Sequence, residues 1–221
     1  MSALPSLAAK WLVPRLGAFQ AAHPGIEVRI TTSMHLVEFR REQVDMAIRH
    51  GHGQWPGLRA DWLMSEDIFP VCSPALLEGP NALRRPEDLA RYTLLGTAHN
   101  QDEWPLWLTA AGLPVSLIRR SLTFDLSLMA YQAAMDGVGV ALGRTPLVEA
   151  DLAAGRLVIP FGLPQPATAG YYVVSPQASA DLPDIALFRG WLLAQATDRA
   201  AEHALPGRLA PSGGAVHAAG P

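Results

Sequence analysis

Hydrophobic positions along the chain switch repeatedly between a helical and a strand period. Ala8, Trp11, Leu12, Leu16 and Phe19 recur on one face and predict a first helix opening at Pro5-Ser6. Ser6 is placed to cap it, Pro14 should kink or shorten it, and His23-Pro24-Gly25 stops it. Ile26, Val28 and Ile30 then alternate with polar neighbours as a half-buried strand, and Val44–Ile48 reads as a second strand buried on both faces. A polar loop and a helix between these strands complete a βαβ rhythm.

After another polar loop, Phe69–Cys72 reads as a strand. Further strands are predicted at Thr93–Gly96, Ser121–Phe124, Val138–Leu142, Leu157–Ile159 and Gly170–Pro176. Helical turns or helices fall at Ala75–Glu78, from Pro86, at Glu103–Ala111, Leu126–Met135, Pro146–Ala154 and Ile185–Ala196. Gly139 inside its strand points to a close backbone or ligand approach. Val71-Cys72-Ser73-Pro74 is echoed by Val173-Val174-Ser175-Pro176, which suits two similar strands crossing between two lobes.

The expected architecture is α/β and two-lobed. Lobe I takes residues 1–67 and 182–196, lobe II residues 68–176, and residues 197–221, rich in Ala, Gly and Pro, form a disordered tail. A βαβ unit should begin with a strand, yet only Met1–Leu4 precede Pro5, so the first strand is expected to be truncated.

Composition narrows the function. With 221 residues and 49% hydrophobic content, the chain can bury a real core. A formal charge of −3, a single lysine (Lys10) and scattered arginines do not make the basic surface of a DNA reader. No stretch has the length of a membrane span and no signal peptide opens the chain. The one cysteine, Cys72, excludes an internal disulfide. A soluble protein of a reducing compartment, cytoplasmic, is the expectation.

Candidate chemistry is sparse. His50-Gly51-His52 is a weak metal signature without a third ligand, and Cys72 in an apolar strand reads as buried rather than nucleophilic. No nucleophile elbow, zinc motif, phosphate loop or dinucleotide fingerprint is present, and Asp125 reads as a helix cap. No enzyme activity, metal or cofactor is expected. What recurs is hydroxyls at helix starts: Ser6, Thr32-Ser33, Thr97 and Ser127. Helix N-termini carry unpaired N–H groups, so two facing one cleft make a carboxylate or anion site; taken singly, each hydroxyl only caps its own helix.

Three segments sharpen this: AAKWLVPRL from Ala8, DMAIRHG from Asp45 with PVCSP from Pro70, and AAMDGVGVAL from Ala133. They resemble the effector-binding domain of LysR-type transcriptional regulators, in the branch of the glycine-cleavage activator and the β-lactamase regulators, over about Ser2 to Gln195. The resemblance implies a type 2 periplasmic-binding-protein-like fold and a small-molecule effector held between the lobes. It places Ser6, Thr32, Ser33, Arg49 and Ser127 around that cleft, and Thr97, one of the hydroxyls noted above, is expected to join them. It also implies a homo-oligomer pairing the first helix (Trp11, Leu16, Phe19) with the second-lobe helix (Met129, Met135) of another copy. DNA would be reached only through the family's N-terminal helix-turn-helix, which does not occur in these residues. A free-standing solute-binding protein of the same two-lobed shape is the alternative.

Overall fold

A computed structural model describes the backbone of residues 1–200 and the side chains of residues 1–196. The chain opens with β1 (Ser2–Ala3), so the first strand, expected to be cut short, is present as two buried residues. A continuous helix follows in three segments: α1 (Pro5–Leu7), a π-helical turn (Ala8–Leu12) and α2 (Val13–Ala22). Pro14 explains the middle segment. It has no N–H to give the Lys10 carbonyl and its ring crowds that turn, so the helix widens just before it, where Val13 donates to Ala8.

Next come β2 (Thr31–Thr32), the short α3 (Phe39–Glu42), β3 (Ala47–Gly51) and β4 (Leu58–Met64). The strand expected at Ile26–Thr31 pairs only at Thr31 and Thr32. Ile26, Val28 and Ile30 still pack on the core from an unpaired extended segment. β4 falls where a polar loop was expected, because Arg59 and Asp61 break its apolar pattern. They pair with each other, and Asp61 also meets Arg189.

The rest of the chain carries β5 (Asp67–Val71), β6 (Thr93–Thr97), α4 (Glu103–Ala110), β7 (Arg120–Phe124), α5 (Ser127–Met135), β8 (Val140–Arg144), α6 (Thr145–Ala153), β9 (Gln165–Pro166), β10 (Gly170–Pro176) and α7 (Pro183–Ala200). Short 3₁₀ turns fill Pro74–Leu77 and Pro86–Arg91. The strand expected at Leu157–Ile159 is a single bridge between Cys72 and Val158. Helix α7 runs four residues into the expected tail; the rest of that tail lies outside the described residues.

Among the described residues, ten strands make two five-stranded sheets, ordered β2-β1-β3-β10-β4 and β7-β6-β8-β5-β9. In each, three parallel strands are followed by an antiparallel one, β10 in the first and β5 in the second. These are the two strands whose endings echo each other. β10, assigned from sequence to lobe II, is hydrogen-bonded between β3 and β4 in the first sheet. The similar strands do not cross together: each is the first long strand after one of the crossings and occupies the fourth place in its own sheet. The crossings, Met64 to Asp67 and Pro166 to Gly170, are tied by Ala167 N–H donating to the Glu66 carbonyl at 3.1 Å.

One apolar core joins β1, the first helix and α7 to the inner faces of α5 and α6; a second gathers Cys72, Leu89, Trp104, Trp107 and Leu108 within the second half. Trp11 and Phe19, expected to meet another copy, are internal. Phe19 lies edge-on to Phe188 and Trp191. Gly139 meets the close approach expected of it, since a Cβ there would collide with the Thr93 carbonyl. Among the described residues no helix is long and apolar enough to cross a membrane.

Candidate functional site

The two sheets face a cavity of about 170 Å³, entered between the N-terminus of α1 and that of α5. Ser6 from the first sheet's side, and Thr97 and Ser127 from the second, line it. Ser6 does not cap its own helix: Leu4 is the N-cap and no side-chain bond is made there. Its Oγ instead accepts from Leu128 N–H at 3.2 Å, an orphan donor in the first turn of α5 on the opposite lobe. The hydroxyl therefore caps a helix 122 positions away and joins the two walls of the cleft.

The other three expected residues lie elsewhere. Thr32 is exposed on β2, and the Ser33 hydroxyl accepts from His35 N–H at 3.0 Å in a local turn; neither lines the cavity. Arg49 is buried, donating to Ser2 Oγ at 2.8 Å and to the Ile48 carbonyl at 3.0 Å. Burial pushes its guanidinium below the ordinary arginine value, against the opposing pull of Glu42. Successive side chains of a strand face opposite ways, so Met46, Ile48 and His50 share one side of β3 and Arg49 takes the other. The first two lie in the core and His50 lines the cavity. That parity was available in the sequence and separates His50 from Arg49, but which of the two sides borders the cavity was not.

Sequence reasoning also missed the charges beneath the cavity. Glu66, at the first crossing, has a fully buried carboxylate. Its Oε1 lies 2.8 Å from His50 Nε2 and pairs with Arg144, which in turn pairs with Glu103. The Tyr171 hydroxyl from β10 lies near enough to the carboxylate to favour its ionised form. Burial drives the Glu66 carboxyl upward, but His50, Arg144 and Tyr171 together outweigh it and hold it below its usual 4.5. Burial, and then the Glu66 charge, raise the phenols of Tyr131 and Tyr171, so both stay protonated. His50 and Tyr171 come from the first sheet, Arg144 and Glu103 from the second half, and Glu66 from the connection between them.

Asp125, expected as a helix cap, makes no cap bond, since Leu126 holds that position; Asp125 lines the cavity. Cys72 is buried, and burial pushes its thiol up to about 12. Among the described residues no group of three or more His, Cys, Asp or Glu is arranged to hold a metal ion. The cavity offers hydroxyls, helix-start N–H groups, an imidazole and a guanidinium, which suit reversible capture of a small polar or anionic molecule.

Comparison with known proteins finds relatives among transcriptional regulators. The chain is 43% identical over 196 residues to the glycine cleavage system transcriptional activator of Escherichia coli, covering 89% of this chain and 64% of that protein. It is 40% identical over 187 residues to the transcriptional activator AmpR of Pseudomonas aeruginosa, covering 84% of this chain and 62% of that one. It therefore spans just under two thirds of these curated relatives. The X-ray structure of the effector domain of that AmpR superposes with a TM-score of 0.75 at 37% identity, covering 90% of this chain and 95% of the other. The AmpR effector-binding domain of Citrobacter freundii gives 0.77 at 29% identity, covering 89% and 96%. Such relatives are regulators rather than enzymes, and they do not favour a free-standing solute-binding protein. The LysR substrate binding domain model matches residues 1–197, and the chain belongs to that family.

Proposed function

We propose that this chain is the sensory part of a LysR-type transcription regulator, binding a small polar or carboxylate-bearing effector between its lobes. The observation that carries the proposal is the Ser6–Leu128 hydrogen bond across the cleft mouth. It sets two helix starts from opposite lobes around one cavity, so a ligand anion can replace or extend that bond. Ser6, Thr97 and Ser127 supply hydroxyls, and His50, Arg144 and Tyr171 the polar floor. Such a ligand acts only through its different affinity for open and closed lobes. Binding rather than catalysis is the role, exercised in the cytoplasm and passed to DNA through a helix-turn-helix joined to this domain. Two copies would pair through the first helix and α5, now with Val13 and Met129 as the outward apolar residues instead of Trp11 and Phe19.

The test uses a chain carrying the helix-turn-helix. Ser6→Ala and Ser127→Ala should blunt the transcriptional response to effector while leaving operator binding unchanged in a mobility-shift assay. A normal response from both variants would reject the site.

A further inference from the structure

A second cavity, of about 250 Å³, lies inside the second half between β6, β7, α4 and the start of α5. It meets the interlobe cleft along Thr97, Asn100 and Ser127, which line both. These polar side chains form a sill between the two cavities. Its deep wall is apolar: Leu94, Ile118 and Leu142, with the Trp104 ring, whose Nε1 is already spent on the Leu95 carbonyl at 3.0 Å.

Charge is controlled at the boundary. Among the described residues the one carboxylate on this cavity, Glu103, is paired with Arg144, which lines the cleft on the other side of the sill. Tyr131, 1% exposed, also lines the cavity. Its hydroxyl lies beside Ser127 and the Arg144 backbone yet completes no well-formed hydrogen bond. A buried phenol without a full partner costs free energy that an incoming acceptor recovers. A charged group entering here would lose its hydration and find no free counter-charge. Each cavity alone is smaller than the roughly 300 Å³ at which small-molecule pockets usually begin. One ligand filling both would be of ordinary size.

We propose that this cavity is a second subsite, which takes the uncharged, partly apolar extension of an effector whose anionic end occupies the interlobe cleft. The proposal rests on the cleft reading above and adds to it the class of ligand: an acid bearing a neutral acyl or amide chain with an acceptor oxygen near the sill. A compact acid would fill the cleft and leave this space empty.

The experiment titrates the 221-residue chain calorimetrically with N-acetylglycine, N-butyrylglycine and N-hexanoylglycine. Affinity should rise about fourfold per added methylene until the cavity is full. Gly96 on β6 lines the cavity, and a Cβ there would meet only the Trp104 ring at 4.0 Å, so Gly96→Val fills space without a backbone clash. It should flatten the series while leaving N-acetylglycine unchanged. Ser121→Phe at the rim, on an exposed residue of β7, should flatten it too and serves if Gly96→Val fails to fold. Ser6→Ala should weaken all three acids equally and keep the slope.

A flat series whose shortest member binds through Ser6 overturns the second subsite and leaves the cleft standing. A slope that survives both filling variants also overturns it. No binding by any of the three overturns both.

Discussion

The two sheets share one strand plan, yet the halves that carry them are stabilised differently. Among the described residues the first half has no core of its own: Trp11, Phe19, Ile48 and Val173 pack into a cluster that continues through Tyr131, Ala134, Leu147 and Val148 of α5 and α6. The second half contributes to that cluster and keeps another to itself, around Trp104, Trp107 and Leu108. A half that must borrow its partner's helices cannot swing freely from them. Lobe motion in this molecule is therefore expected to be a small adjustment about a shared apolar floor, with the polar cleft at its edge.

The private core supplies the strongest test of that contrast. Trp107→Ala removes a buried indole that lies edge-on to Trp104 and donates to the Leu163 carbonyl. It should cost about 4 kcal/mol. Hydrogen exchange should show protection lost first in β5–β9 while β3, β4 and β10 hold. Phe19→Ala should instead loosen both halves at once. Equal loss everywhere from Trp107→Ala would erase the distinction.

The link between the halves comes next. Glu66→Gln leaves Arg144 and His50 without their common carboxylate and should cost about 3 kcal/mol in urea unfolding at neutral pH. The pH dependence has a definite sign. The folded carboxyl ionises below its usual 4.5, so the contribution is complete above that value and lost as pH falls through the lower, folded one. The stability gap between the original chain and Glu66→Gln should accordingly close only under acid conditions. A gap that persists well below that range would detach the effect from ionisation.

A smaller effect belongs to the cleft mouth. Ser6→Ala removes the acceptor of Leu128 N–H and should cost about 1 kcal/mol, because water can reach part of the vacated site. The loss should appear as faster exchange of the Leu128 amide rather than as general unfolding. An unchanged exchange rate would mean that the interlobe bond does not persist in solution.

The sequence by itself determined the alternation of strands and helices, the α/β class and the family motifs. Each is set by local periodicity or by residues adjacent in the chain. It also indicated Ser6, Thr97 and Ser127, because hydroxyls at helix starts are visible one segment at a time. What only the tertiary structure decided was pairing over distance. β10 returns to the first sheet because β3 and β4 both offer it antiparallel edges. Ser6 caps α5 because the cleft brings a remote helix start within reach. Glu66 collects His50, Arg144 and Tyr171 because the chain crosses between sheets beside all three. Arg49 and His50 lie between these cases. Their neighbours' parity encodes which faces the core, but which face of β3 borders a cavity depends on what packs there. Periodicity records which side of an element is apolar, and a site is made by whichever elements that side is pressed against.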